Sequence, residues 1–111
     1  MIYLASPYSS SAKKVETVRY EAAFHFCSQH MISHPTPIFS PIVYGHRFAV
    51  ESGIAGDADT WKYFNNHMLR TADSIWVLQL QGWDKSLGVT YEIERARSLL
   101  IPITYVEMPN G

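Results

Sequence analysis

Ser74-Ile75-Trp76-Val77-Leu78-Gln79-Leu80 is followed a few residues later by Ser86-Leu87-Gly88-Val89-Thr90-Tyr91-Glu92, and the fold is read from this pair. The first segment is a near-continuous apolar run, the pattern of a strand covered on both faces in the middle of a parallel sheet. The second opens a helix. Ser86 or Leu87 starts it, and Val89, Ile93, Ala96 and Leu100 recur at the spacing of one buried stripe. A buried strand, a short loop over residues 81–85 and a helix make half of a βαβ unit.

The same alternation extends outward. Residues 1–5 form a short apolar strand, ended by the turn-forming run Ser6-Pro7-Tyr8-Ser9-Ser10-Ser11. Residues 12–31 carry helical spacing, with Val15, Val18, Ala22, Phe26 and Cys27 as the expected core stripe. Residues 35–41, bounded by prolines, suit a short strand near its ends. Residues 42–60 include Gly45, Gly53 and Gly56 and lack clear periodicity, so they are expected to be a site loop. Residues 61–71 read as a helix with Trp61, Phe64 and Met68 inward and Asp59 or Thr60 as cap. Residues 101–106 return as the last strand. The expectation is an α/β, flavodoxin-like, doubly wound parallel sheet of four to five strands in a single domain over residues 1–111. Ligands of such sheets bind at the carboxyl ends of the strands. Here that edge comprises residues 6–11, 41–60 and 81–88.

Composition narrows the function classes. The chain has 111 residues, 47% hydrophobic and 17% charged, enough for one core but not two. Net charge is −1 with no basic cluster, which argues against duplex nucleic acid, whose binding needs many phosphate contacts. A small anion remains compatible, because a helix N-terminus can hold one phosphate. No run approaches the roughly 20 apolar residues of a membrane span. Residues 1–4 read as a buried strand without the basic start of a signal peptide. Cys27 is the single cysteine, so the expected compartment is reducing and cytoplasmic. Five histidines, His25, His30, His34, His46 and His67, show no metal-ligand spacing. No glycine motif for a dinucleotide or ATP occurs.

Chemistry concentrates where the last helix begins. Gly88 admits close approach of a ligand to the backbone, and the first N–H groups of a helix favour an anion. Glu92, four residues on, lies one turn down on nearly the same face. Two readings stand at this point: a carboxylate beside an anion pocket, or a capping serine followed by a surface acid.

The run "SLGVTYEIERA" after "ADSIWVLQL", together with the opening "IYLASPY", resembles the nucleoside 2-deoxyribosyltransferase-like superfamily. That group includes deoxyribosyltransferases and 2'-deoxynucleoside 5'-phosphate N-hydrolases. The resemblance covers nearly the whole chain. It implies that Glu92 is the catalytic nucleophile or its equivalent, and that Tyr3 orients it. A plain core aromatic is the other reading of Tyr3. Transferases acting on free nucleosides carry an acid six residues before the glutamate, whereas the nucleotide hydrolases carry serine, and this chain has Ser86. A serine hydroxyl donates to phosphate, whereas an aspartate repels it. The implied reaction is hydrolysis of the N-glycosidic bond of a 2'-deoxynucleoside 5'-monophosphate. Ser86 and Gly88 would bind phosphate with Ser6, Ser9 and Ser10, unless these serines form only a solvated loop. Tyr8 and Trp83 would stack on a base, unless Trp83 is a rim residue. No metal or organic cofactor is implied, and a homodimer or larger assembly is.

The chain departs from that pattern at Asn65, where the family has an aspartate. An amide cannot protonate a leaving base, so Asn65 is expected to contact sugar or base. His67, Asp57 and Asp59 are the candidate acids, and Asp73 is expected to cap or orient the helix–strand join. Three alternatives stay open: deoxyribosyl transfer between bases, an NAD-type glycohydrolase and a non-catalytic nucleotide-binding module.

Overall fold

A computed structural model describes residues 1–54 and 59–109, leaving the side chains of residues 59 and 60 undescribed. The expected caps Asp59 and Thr60, and the candidate acids Asp57 and Asp59, therefore lie outside what is described. Among the described residues the chain forms β1 (Ile2–Ala5), α1 (Lys13–Ser33), β2 (Ile38–Phe39), α2 (Pro41–Ser52), α3 (Asp59–Thr71), β3 (Ser74–Leu78), α4 (Leu87–Ser98) and β4 (Ile103–Val106). A single 3-10 turn, Trp83–Lys85, precedes α4. The four strands form one parallel sheet in the order β2-β1-β3-β4, the flavodoxin-like arrangement expected.

Every residue of β1 is buried, because the strand is central and helices cover both faces. Tyr3, Ala5, Ile75 and Val77 face one core layer, closed by Leu69 and Ala72 near the end of α3 and by Val89, Ile93 and Ala96 of α4. Leu4 and Leu78 face the other, against Phe26 and Cys27 of α1. The strands on either side of β1 are reached in opposite directions along the sheet, so a crevice opens where β1 and β3 end.

Three expectations are corrected. Residues 42–60 are not simply a loop, since α2 occupies Pro41–Ser52. The Ser40 hydroxyl accepts the Val43 N–H at 3.1 Å, Pro41 takes the first turn, and Gly53 ends the helix at φ +71°. Its inner face is aromatic and small rather than aliphatic: Tyr44 stacks on Phe64 at 5.0 Å, and Gly45 faces the Trp61 ring. The aliphatic period is accordingly faint.

The buried stripe of α1 is Ala23, Phe26, Cys27 and His30, while Val15 and Val18 are exposed, Val18 at 61%. A helix of 21 residues is about 31 Å long, whereas the four-residue β1 is about 13 Å long. The first turns of α1 overhang the carboxyl edge of the sheet and have no strand beneath them. His30 is satisfied inside the core by the Thr36 carbonyl, 2.8 Å from Nε2.

Leu100 was expected in the core stripe of α4 but is 91% exposed. The helix ends at Ser98, and Leu100 adopts φ +58°. The Ile101 N–H donates to the Ala96 carbonyl at 2.9 Å and the Leu100 N–H to that of Arg97 at 3.2 Å. This closure normally places glycine at the left-handed position. Leucine there is strained, and its side chain packs on almost nothing. Leu100→Gly should therefore stabilise the protein by about 1 kcal/mol, read as a higher urea midpoint at unchanged slope.

Candidate active site

The carboxyl edge is assembled by a brace. Arg19, on the overhanging part of α1, donates from Nη1 to the Ser9 and Tyr8 carbonyls at 3.0 and 3.3 Å, and from Nη2 to the Gln81 carbonyl at 3.5 Å. The guanidinium thus ties the loop after β1 to the loop after β3. Gly82 sits at φ +88°, which favours glycine, and a Cβ there would come within 2.9 Å of Arg19 Nη2 and displace the guanidinium.

In the core layer closed by α3 and α4, Tyr3 and Glu92 meet. Alternation along β1 turns the Tyr3 ring toward α4, where its hydroxyl donates to Glu92 Oε2. Tyr3 is fully buried and Glu92 partly so. Burial raises the Glu92 carboxyl to about 7, against the opposing pull of the Tyr3 hydrogen bond. Burial, and then the negative charge of Glu92, raises the Tyr3 phenol well above its usual range. Tyr3 is therefore a committed donor, and Glu92 is a carboxylate that ionises near neutrality.

The remaining expected residues separate. The Ser86 hydroxyl accepts the Val89 N–H at 3.2 Å and caps α4, while its own hydrogen remains available to donate. Gly88 is exposed, and a Cβ there would meet only Ser86 Oγ at 3.9 Å, so the backbone at the start of α4 is open. Ser6 is 4% exposed and its hydroxyl has no partner. Ser9 is exposed. Ser10 is engaged in the loop: its N–H donates to Glu16 Oε2 and its hydroxyl accepts the Ala12 N–H, each at 3.1 Å. The Asp73 carboxylate pairs with the Met1 amino group and its N–H donates to the Met1 carbonyl at 2.9 Å, contacts that tie the start of β3 to that of β1.

Asn65 and Tyr8 share a recess of about 40 Å3 with Gly45, His46 and Trp61. The buried Asn65 carbonyl oxygen is unpartnered. Asn66 Nδ2 donates to the Tyr91 hydroxyl at 2.9 Å, which sets α3 beside α4 one residue from Asn65 and Glu92. Trp83 does not join this group. Its ring pairs with Tyr105 at 5.5 Å, and it walls a separate cavity of about 180 Å3 with Thr90, Glu94 and Arg97. Two residues of helix turn a side chain by about 200°, so Glu94 and this cavity lie across α4 from Glu92. His67 is exposed.

His46 was missed. Its sequence neighbourhood offers no metal spacing, and reading residues 42–60 as irregular hid the helix that carries it. The Ser40-Pro41 start and Gly53 stop were the available signal. Among the described residues, no group of three or more His, Cys, Asp or Glu could hold a metal ion, and no helix is long and apolar enough to cross a membrane.

Fold and site together define a flavodoxin-like α/β domain with a tyrosine-held carboxylate beneath the carboxyl edge of its sheet. Residues 1–108 match the family described as Domain of unknown function (DUF1937), and the chain belongs to that family. No curated protein matches it.

The Glu92 environment has a measurable cost. Its proton is held more tightly in the folded state, so stability present at low pH is lost as pH rises from about 4.5 to about 7. That loss is at most on the order of 3 kcal/mol. Glu92→Gln keeps an acceptor for Tyr3 and removes the charge. It should melt higher than the wild type at pH 8, with the gap narrowing toward pH 5 in thermal scans.

Proposed function

We propose that the protein hydrolyses the N-glycosidic bond of a 2'-deoxynucleoside 5'-monophosphate. The observation that supports this most is Glu92, a carboxylate raised toward neutrality by burial and held through one oxygen by Tyr3. The second oxygen is left to attack C1', or to stabilise the oxocarbenium-like carbon as the base departs. A desolvated carboxylate is a stronger nucleophile than a hydrated one, and its burial cost is offset when positive charge develops beside it.

The other parts follow from the edge. Phosphate is received by the free N–H groups of the first turn of α4 at Leu87 and Gly88 and by the Ser86 hydroxyl. Buried Ser6, with an unpartnered hydroxyl, is a further donor. Asn65 meets base or sugar with its unsatisfied amide oxygen. The resemblance to the nucleoside 2-deoxyribosyltransferase-like superfamily, and Ser86 in place of an acid, favour a nucleotide over a free nucleoside. The reaction consumes water alone and needs no cofactor. The reading also places the protein in the cytoplasm as a homodimer or larger assembly, for which Leu87, 87% exposed, supplies apolar contact beside the site.

The test is base release from each of the four dNMPs, with nucleosides and NAD run in parallel and products followed by chromatography. Release from dNMPs alone is expected. Because the nucleophile must be ionised, the acid limb of kcat/KM should rise with pH through an apparent pKa of about 7. Glu92→Gln should lose at least about a thousandfold in turnover while dNMPs still raise its melting temperature. Equal rates for the two proteins refute the mechanism. A dNMP-induced rise in melting temperature with no base released by the wild type points instead to a binding module.

A further inference from the structure

The recess between the loop after β1, α2 and α3 holds a group that the residues named so far leave unused. His46 is fixed from two directions: the Tyr8 hydroxyl lies 2.7 Å from its Nδ1, and the Tyr20 ring stacks on it at 4.1 Å and 15°. Its Nε2 makes no hydrogen bond among the described residues. In the same wall Asn65 presents a buried, unpartnered amide oxygen, which accepts a hydrogen bond but has no proton to give. Asn65 is followed by Asn66, whose Nδ2 donates to the Tyr91 hydroxyl, the neighbour of Glu92 on α4. The recess, at about 40 Å3, admits the edge of a planar heterocycle rather than the whole ring. An edge held by an amide and facing an imidazole is a place for the leaving side of a base.

The geometry points to His46 as the general acid that protonates the departing nucleobase, with Tyr8 as its positioning residue. This inference rests on the N-glycosidase reading above. In the imidazolium form, Nδ1–H donates to the Tyr8 oxygen and Nε2–H is presented to the base. As the C1'–N bond breaks, its electron pair passes to the base, and the Nε2 proton follows onto a ring nitrogen or carbonyl oxygen. The Glu92 carboxylate meanwhile bonds to C1' or stands against its positive charge. Water then adds to C1', its proton returns to His46, and the Glu92 carboxylate is released. One water and one nucleotide become deoxyribose 5-phosphate and a free base.

The experiment compares leaving groups. Wild type, His46→Gln, Tyr8→Phe and Glu92→Gln are assayed on dNMPs and on 4-nitrophenyl 2-deoxyribofuranoside 5-phosphate, whose nitrophenolate departs without a proton. His46→Gln should lose roughly 10²–10⁴-fold in kcat on dNMPs, the usual weight of a positioned acid, but only a few-fold on the nitrophenyl substrate. Tyr8→Phe should show the same split at smaller size, and Glu92→Gln should fail on both. Equal losses by His46→Gln on both substrates, at an unchanged melting temperature, overturn the role. If His46→Gln does not fold, Tyr8→Phe decides: a split supports the role and equal losses overturn it. A wild type inert on both substrates refutes the glycosidase reading, and this role with it.

Discussion

The hydrogen bond from Tyr3 to Glu92 is the contact around which the molecule is arranged. It joins the first strand to the last helix, across 89 positions of sequence, inside the layer that also packs Val89 and Ile93 against Ile75 and Val77. Burying a carboxylate is expensive unless a donor meets it, and a tyrosine on a central strand is a donor that cannot move aside. The core fixes the ring, and the ring fixes the acid. Fold and candidate chemistry are thus coupled at one point, and the surrounding hydrophobic layer sets how readily the acid ionises.

A second constraint acts at the rim. Loops after β1 and β3 would have little to hold them together, since the strands end before they do. Arg19 supplies the link by donating to three carbonyls, which it can do because α1 continues past the sheet. The overhang that exposes Val18 is the same feature that brings a guanidinium to the loops after β1 and β3. Its Nη1 and Nη2 groups are turned to backbone oxygens.

Much of this was legible in the sequence, for reasons that differ by element. β1 and β3 are apolar along their length, which only a doubly covered strand tolerates, and α4 announces itself by Ser86 and the Val89, Ile93, Ala96 spacing. The Tyr3–Glu92 pairing came from the resemblance and the alternation of β1 together. Hidden were features that depend on length and on aromatic packing. The α1 stripe was misplaced because spacing alone does not reveal where a helix outruns its sheet. α2 was missed because Pro41, Tyr44, Gly45 and Phe48 pack by ring contacts that hydropathy does not weight. With α2 went His46. Trp83 lay on the right edge by position, but a half-turn of α4 separates its cavity from Glu92, and rotation of that kind is set by packing rather than by order along the chain.

The outer strand β2 is only two residues long and is flanked by Pro35, Pro37 and Pro41. Prolines lack the N–H that would extend a ladder, and so brief an edge gives an incoming chain nothing to zip onto. Growth of the sheet by annealing to another copy is closed on that margin. Self-association, where it occurs, falls to side-chain surfaces or to the opposite margin at β4. Such contacts can be remodelled one residue at a time without disturbing the ladder beneath.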